Sequence, residues 1–187
     1  MSILVLGIGN LLWADEGFGV RAVESLHRYY QVPPTVTLLD GGTQGLYLLQ
    51  YVQEADKLLI FDAIDYGLPP GTLKLVCDAE VPSFLGAKKM SLHQVGFQET
   101  LAAAQLTGHY PQALRLIGVQ PLRLEDYGGS LSPPVRTQLE PALQLGLEIL
   151  ASWGAVLVPR DSPLPPAQGL GMPGLDLESY ETGRMAV

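Results

Sequence analysis

The stretch Ile3-Leu4-Val5-Leu6-Gly7-Ile8-Gly9 begins the chain with an apolar run that two glycines interrupt. Such a run predicts a buried strand followed by a tight turn, because glycine adopts backbone conformations that other residues avoid. Two glycines at this spacing also start a dinucleotide-binding loop, but the third glycine of that pattern would fall at Leu12. The stretch therefore predicts a strand and a turn that allows a close approach, and not a nucleotide site.

Hydrophobic periodicity along the rest of the chain predicts four more strands and four helices. The strands fall at residues 36–40, 57–63, 72–76 and 114–119, and the helices near residues 16–30, 46–52, 91–107 and 132–153. Asp15 is the predicted N-cap of the first helix, and Pro141 predicts a kink or a broken start in the last one. The order β-α-β-α-β-β-α-β-α predicts an α/β fold with a mostly parallel sheet and helices on both faces.

The composition is that of a globular chain with one domain. Its 187 residues are 47% hydrophobic and 16% charged, which suffices for a sizeable core. The formal net charge of -8 argues against nucleic acid and anionic membrane as partners, and no apolar stretch reaches transmembrane length. Cys77 is the only cysteine, so an intrachain disulfide is excluded, and with no signal peptide in sight we expect a cytoplasmic protein.

The character of the sequence changes after Val158. Residues 159–187 contain five prolines and four glycines and show no helical or strand period. We therefore divide the chain into a domain at residues 1–158 and a C-terminal tail at residues 159–187. Scattered apolar residues in the tail predict an extended arm that docks on a partner or covers an apolar groove of the domain.

Three carboxylates and one histidine fall where the predicted sheet presents one edge. Glu16 follows the turn after the first strand, and Asp40 and Asp62 end the second and third strands. His93 lies at the start of a predicted helix, in Ser91-Leu92-His93-Gln94. The carboxyl ends of parallel strands share an edge where ligands bind. Glu16, Asp62 and His93 together would suit a borderline divalent metal such as zinc or nickel.

Each of these residues also has a purely structural interpretation. Glu16 could favour the helix dipole, His93 could be a structural histidine, and Asp40 could cap the turn Gly41-Gly42-Thr43. Asp62 is harder to explain, because a carboxylate that ends a buried strand is costly unless it is paired, hydrogen-bonded or bound to a metal. The joint placement of these residues at one edge favours the metal site.

Several separated blocks of the sequence resemble those of the NiFe-hydrogenase maturation endopeptidases. The blocks are Gly7-Ile8-Gly9-Asn10, Asp15-Glu16-Gly17-Phe18-Gly19-Val20-Arg21, Asp40-Gly41-Gly42-Thr43, Phe61-Asp62-Ala63, Ser91-Leu92-His93-Gln94 and Gly118-Val119-Gln120-Pro121. They occur in the order that the family has, over about residues 3–152, which makes the resemblance specific. The tail lies outside the resemblance.

The resemblance implies a single three-layer α/β/α sandwich around a mostly parallel, five-stranded twisted sheet. It implies that the domain at residues 1–158 is a peptidase that removes a short C-terminal peptide from the precursor of a hydrogenase large subunit. By the same resemblance, cleavage follows nickel insertion, and Glu16, Asp62 and His93 contact a nickel ion that the substrate carries. Zinc or cadmium could take the place of nickel in a crystal.

Two routes to hydrolysis are compatible with such a site. The metal could polarise the scissile carbonyl or activate a water molecule. Alternatively, a carboxylate could act as general base, with Asp40 as the candidate. We predict Asp40 and Asp62 as catalytic residues, and Glu16, Asp62 and His93 as metal ligands.

Two other functions compete with the protease hypothesis. One is a non-catalytic, nickel-sensing chaperone that docks on the large subunit without cutting it. The other is an unrelated hydrolase or phosphorylase on a similar sheet, since fold alone does not set function. Under the protease hypothesis the partner is the large-subunit precursor, with no nucleic acid or membrane partner, and the free chain is expected to be monomeric.

Overall fold

A computed structural model describes residues 1–82, 92–171 and 174–185, without the side chains of residues 92–95 and 182–185. The strands in these ranges are β1 (Ile3–Ile8), β2 (Tyr30–Gln31), β3 (Val36–Gly42), β4 (Lys57–Ala63), β5 (Leu73–Cys77), β6 (Ala113–Val119) and β7 (Val158–Pro159). The α-helices are α1 (Phe18–Tyr29), α2 (Leu49–Glu54), α3 (Leu92–Leu106), α4 (Pro133–Arg136), α5 (Leu139–Ser152) and α6 (Leu177–Met185). Short 3₁₀-helices lie at Ala14–Gly17, Gly45–Leu48, Asp78–Glu80 and Pro166–Gln168.

Five strands form one sheet in the order β3-β1-β4-β6-β5. β1 pairs parallel with β3 and β4, β4 pairs parallel with β6, and only β5 is antiparallel to its neighbour in this sheet. Every residue of β4 except Lys57 is buried, as expected of a central strand that helices cover on both faces. The prediction of a mostly parallel five-stranded sheet is confirmed.

A separate hydrophobic core lies on each face of the sheet. Phe18 of α1 and Leu143 of α5 pack on one face, against a cluster that contains Phe61 of β4. Val52 of α2 and Phe97 of α3 pack on the other face, in a second cluster. Alternate residues of each strand therefore point to opposite cores, which gives the α/β/α sandwich that the resemblance implied.

Two local predictions concern helix starts, and they have different outcomes. The N-cap assignment of Asp15 is wrong, because α1 starts at Phe18 after Gly17, and Asp15 lies inside the preceding 3₁₀-helix. The broken start of the last helix is confirmed, since α4 ends at Arg136 and α5 starts at Leu139. Pro141 then lies in the first turn of α5, where its missing N–H is not needed for an intrahelical bond. No helix among the described residues is long and apolar enough to span a membrane.

The tail packs along α1. Val158 and Pro159 pair antiparallel with β2, and the Leu164 N–H donates to the Arg28 carbonyl over 3.0 Å. Further along, the buried Arg21 guanidinium donates to the Leu175 carbonyl, and Arg28 pairs with Glu178 at 2.9 Å. The prediction that the tail has no regular structure is wrong, because it forms β7 and α6. The Pro- and Gly-rich sequence gives no periodic signal for these elements, because their partners lie far away in the chain: β2 pairs with β7, and Arg28 of α1 pairs with Glu178 of α6.

Truncation of the chain after Arg160 is expected to lower the free energy of unfolding by about 2 kcal/mol, or the melting temperature by about 6 °C. The reason is that Arg21 loses a buried partner, and Leu170 no longer covers the core beneath α1. The control is Glu178→Gln, which removes an exposed ion pair and should change stability by less than about 1 kcal/mol. Thermal unfolding measures both, and a truncated chain as stable as the full one would contradict the prediction.

Candidate active site

Asp62 is a fully buried carboxylate at the carboxyl edge of the sheet. It lies next to the end of β4, its exposed fraction is 0%, and its Oδ1 accepts the Ala63 N–H over 2.8 Å. Ile60 belongs to the core beneath α2 and α3, and Phe61 belongs to the opposite core. By strand alternation, Asp62 therefore faces the side of the sheet on which α3 packs.

Tyr66 lies beside Asp62 and was missed by the sequence analysis. Gly118 pairs with Asp62 across β4 and β6, and a Cβ atom at Gly118 would lie 2.1 Å from the Tyr66 hydroxyl. Burial raises the pKa of the Tyr66 phenol, and the negative charge of Asp62 raises it further. The phenol is therefore protonated at neutral pH and presents an O–H on the face that carries Asp62. A small residue in the fifth strand was the only signal in the sequence that something packs there.

Glu16 lies on the 3₁₀-helix Ala14–Gly17, which connects β1 to α1. The turn after β1 passes so close to this helix that a Cβ atom at Gly9 would lie 1.7 Å from the Glu16 carbonyl oxygen. Gly9 also has a φ of 135°, which other residues rarely adopt. The close approach predicted for the glycine turn is thus between the turn after β1 and the 3₁₀-helix, and not with a ligand. It places Glu16 at the carboxyl edge of the sheet.

Burial raises the pKa of the half-buried Glu16 carboxyl to about 7. In the unfolded chain this group loses its proton near its ordinary pKa of 4.5. Between these values the unfolded state is more ionised than the folded state, so Glu16 lowers stability as pH rises through this range. We expect Glu16→Gln to stabilise the protein relative to the wild type at pH 8 but not at pH 4. Urea unfolding at both pH values tests this. An equal difference in the free energy of unfolding between the variant and the wild type at pH 4 and pH 8 would contradict it.

His93 is the second residue of α3, and its side chain lies outside the described part of the structure. The first turns of α3 run close to the residues that follow β3, since a Cβ atom at Gly96 would lie 3.1 Å from the Gly45 Cα. Because Gly45 follows the carboxyl end of β3, the start of α3 lies at the same edge of the sheet as Asp62. Among the side chains that the structure describes, no three acidic, histidine or cysteine groups form a metal cluster. The joint site of Glu16, Asp62 and His93 stays a prediction.

Asp40 faces the other side of the sheet from Asp62. Leu38 packs against the core beneath α1, and Leu39 against the opposite core, so Asp40 points towards α1. Its Oδ1 accepts the Gly42 N–H over 2.9 Å, which is the turn-capping bond considered as its structural role. Burial raises the pKa of Asp40, while that bond and the Arg21 charge oppose the rise. The structure therefore does not bring Asp40 together with Asp62 on one face.

A groove of about 460 Å³ lies at the carboxyl ends of β4 and β6, lined by Asp65 and residues 120–126. Gln120 is 5% exposed and links the segment after β6 to the segment after β4 through hydrogen bonds. Its Oε1 accepts the N–H groups of Tyr66 and Leu68, and its Nε2 donates to Asp65 Oδ1 over 3.0 Å. Gln120 belongs to a sequence block that resembles the family, but its partners lie more than fifty residues away in the sequence and could not be predicted.

The arrangement combines two carboxylates, a nearby phenol and an open groove at one edge of an α/β sheet. Oxygen ligands and one imidazole would suit a borderline divalent ion, and a set of three leaves coordination positions vacant. An incomplete site beside a groove suits the binding of a metal that a second molecule supplies.

Comparisons with known proteins all identify relatives that take part in hydrogenase maturation. The family model described as HycI, hydrogenase maturation protease, matches residues 20–149. The chain is 62% identical over 179 residues to the hydrogenase expression/formation protein HupD of Bradyrhizobium diazoefficiens, covering 96% of this chain and 93% of that one. It is 44% identical over 163 residues to the hydrogenase 2 maturation protease of Escherichia coli, covering 87% and 98%.

Solved structures show the same fold. The hydrogenase maturating endopeptidase HybD from E. coli superposes with a TM-score of 0.81 at 43% identity, over 86% of this chain and 98% of that one. The HybD maturation protease from Thermococcus kodakarensis, at 23% identity, has a TM-score of 0.65 over 80% of this chain and 99% of that one. At 23% identity, the second comparison shows only that the two proteins share a fold.

Proposed function

The chain belongs to the hydrogenase maturation protease family, and from this membership we propose what it cuts and how it selects its substrate. The substrate is the precursor of a NiFe-hydrogenase large subunit, and the cut removes its C-terminal extension after nickel has been inserted. Glu16, Asp62 and His93 recognise the nickel ion that the precursor carries. The observation that carries this proposal is the placement of Asp62 and Glu16 at one edge of the sheet, beside an open groove.

The ligand set explains why cleavage would depend on nickel. Three ligands from this chain, two carboxylates and one imidazole, leave a divalent ion with vacant positions. Free nickel is therefore held weakly, whereas nickel that already has thiolate ligands in the precursor completes its coordination on the enzyme. The precursor binds productively only when it carries the metal, and the nickel is part of the substrate and not a resident cofactor. Zinc or cadmium is expected to occupy the same ligands in crystals.

The position of Asp40 bears on how the attacking water is activated. A general base must come within hydrogen-bond reach of the water whose proton it takes. Asp40 faces α1 and caps its own turn, on the side of the sheet away from Asp62. We therefore favour activation by the substrate's nickel, through polarisation of the scissile carbonyl or through activation of the water, over direct proton abstraction by Asp40. The protonated Tyr66 phenol is a candidate donor to the oxygen that becomes negative.

The remaining parts of the proposal concern the cell. The single cysteine, which leaves no intrachain disulfide to form, fits a reducing compartment, and we propose that the chain acts in the cytoplasm. The chain is proposed to act as a monomer that meets the large-subunit precursor transiently.

The decisive experiment mixes the purified chain with the same large-subunit precursor in nickel-loaded and nickel-free forms. Mass spectrometry then reports the loss of the C-terminal extension. We expect cleavage of the nickel-loaded form only. Equal cleavage of both forms would overturn metal-gated recognition. A stable complex with an unchanged precursor mass would instead identify the non-catalytic chaperone.

A further inference from the structure

Asp15 is a buried carboxylate that has no part in the proposed reaction. Its exposed fraction is 0%, and it lies directly before Glu16 in the same 3₁₀-helix. Its Oδ2 accepts the N–H groups of Leu122 and Arg123, over 2.9 and 2.8 Å. Ser132 donates to it twice, from N–H to Oδ1 over 2.6 Å and from Oγ to Oδ2 over 2.8 Å. Four donors on one carboxylate offset its burial.

The donors all come from the segment that follows β6. Leu122 and Arg123 line the groove described above, and Ser132 ends the segment immediately before α4. In return, the Asp15 N–H donates to the Arg123 carbonyl over 3.2 Å. Asp15 therefore joins the groove wall to the 3₁₀-helix that carries Glu16, and a shift of the wall relative to Glu16 must break these bonds.

The same segment has a second attachment, which is independent of Asp15. The rings of Trp13 and Tyr127 meet edge to face with centroids 5.3 Å apart, and the Gly128 N–H donates to the Leu12 carbonyl over 2.7 Å. Loss of the Asp15 bonds would therefore loosen the groove wall without detaching the whole segment. This makes the effect of Asp15 on the groove separable from its effect on the fold.

The groove has the lining expected of a site for an extended peptide. Leu122 is half exposed, Arg123 and Asp126 pair loosely at 3.8 Å, and Asp65 also lines the groove. Its volume of about 460 Å³ falls in the range of ligand-binding clefts. A polypeptide that presents its nickel to Glu16 and Asp62 must continue past this edge, and the groove borders the strand that carries Asp62.

We propose that this groove holds the precursor segment next to the scissile bond, and that Asp15 is the positioning residue that holds the groove wall in place beside Glu16. The proposal rests on the proposed function for the identity of the peptide. Asp15 itself touches no substrate atom and acts through Leu122 and Arg123. This positioning role explains why Asp15, next to Glu16, is a buried carboxylate, although a neutral side chain would cost less free energy to bury.

The test compares Asp15→Asn and Ser132→Ala with the control Asp78→Asn in steady-state cleavage of the nickel-loaded precursor. Asp78 also accepts a backbone N–H, from Leu114 over 2.9 Å, but at the amino end of β6, away from the groove. Its φ of 46° is one that asparagine tolerates, so this control keeps its backbone. Assays run well below the melting temperature of every variant, and hydrogen exchange reports the amides of Leu122, Arg123 and Ser132.

We expect Asp15→Asn to raise KM about 10-fold with kcat changed less than about 3-fold. The groove wall contacts the bound substrate and the transition state equally, so its displacement weakens the binding of both by the same amount. Ser132→Ala, which removes one of four donors, should raise KM about 3-fold and serves if Asp15→Asn does not fold. Faster exchange at the three amides should accompany both changes. Asp78→Asn should leave KM unchanged.

Two results would overturn the proposal. If KM is unchanged in both Asp15→Asn and Ser132→Ala, or rises equally in Asp78→Asn, Asp15 is structural only and the proposed function survives. If the wild type cleaves no precursor, the proposed function falls and the groove assignment falls with it. Exchange at the Leu122, Arg123 and Ser132 amides would then still show whether Asp15 holds the wall.

Discussion

Asp62→Asn is expected to lower the rate of precursor cleavage at least about 100-fold while leaving the fold intact. The substitution keeps the side-chain oxygen that accepts the Ala63 N–H, so the end of β4 should not change. It removes a negative charge that is fully buried and that we assign to the substrate's nickel. A neutral amide at this depth is cheaper to bury than a carboxylate, so thermal stability should be equal to that of the wild type or higher.

The matched control is Asp56→Asn, at the other end of the same strand. Asp56 precedes β4 and accepts the Ser2 N–H over 2.7 Å at the surface. Its substitution should leave the cleavage of nickel-loaded precursor unchanged. Cleavage is followed by mass spectrometry and stability by thermal unfolding, for both variants and the wild type. An Asp62→Asn variant that cleaves at the wild-type rate would remove Asp62 from the active site.

Gly19→Ala is expected to have the largest effect on stability. The start of α1 lies so close to the sheet that a Cβ atom at Gly19 would be 2.1 Å from the Phe61 carbonyl oxygen and 2.3 Å from that of Ile8. Both contacts are with backbone, so no side chain can move aside. Overpacking of this kind should cost about 3 kcal/mol or more, which lowers the melting temperature by about 10 °C.

Gly17→Ala, two residues earlier, is the control for Gly19→Ala. Gly17 has a φ of -72°, and a Cβ atom there would be 3.3 Å from the nearest atom, the Leu11 Cα. Its substitution should cost no more than about 1 kcal/mol. Thermal unfolding of the two variants measures the difference. A Gly19→Ala variant with the wild-type melting temperature would show that α1 can move away from β1 and β4 freely.

The sequence predicted those parts of the fold that depend on local pattern. The third predicted strand, residues 57–63, coincides with β4, and the break near Pro141 separates α4 from α5. Both features follow from apolar runs and proline geometry, which act over a few residues. The tail helix α6 was missed because its contacts with α1 are tertiary, such as the pair of Arg28 and Glu178.

The candidate site was predicted only in part, for a related reason. Strand ends identify Asp62, but they do not tell which face of the sheet a side chain takes, and Asp40 proved to lie on the other face. Asp15 has the spacing of a helix cap, yet its donors come from residues 122–132, more than a hundred positions later. Such long-range hydrogen bonds leave no periodic trace in a single sequence.

The central claim is that Glu16, Asp62 and His93 meet on one metal ion. Its most direct test is anomalous diffraction from crystals grown with nickel or cadmium. The account predicts one peak, within about 2.0–2.3 Å of a Glu16 oxygen, an Asp62 oxygen and a His93 ring nitrogen. An ion bound elsewhere, or three side chains too far apart to share one ion in both the free protein and its precursor complex, would contradict it.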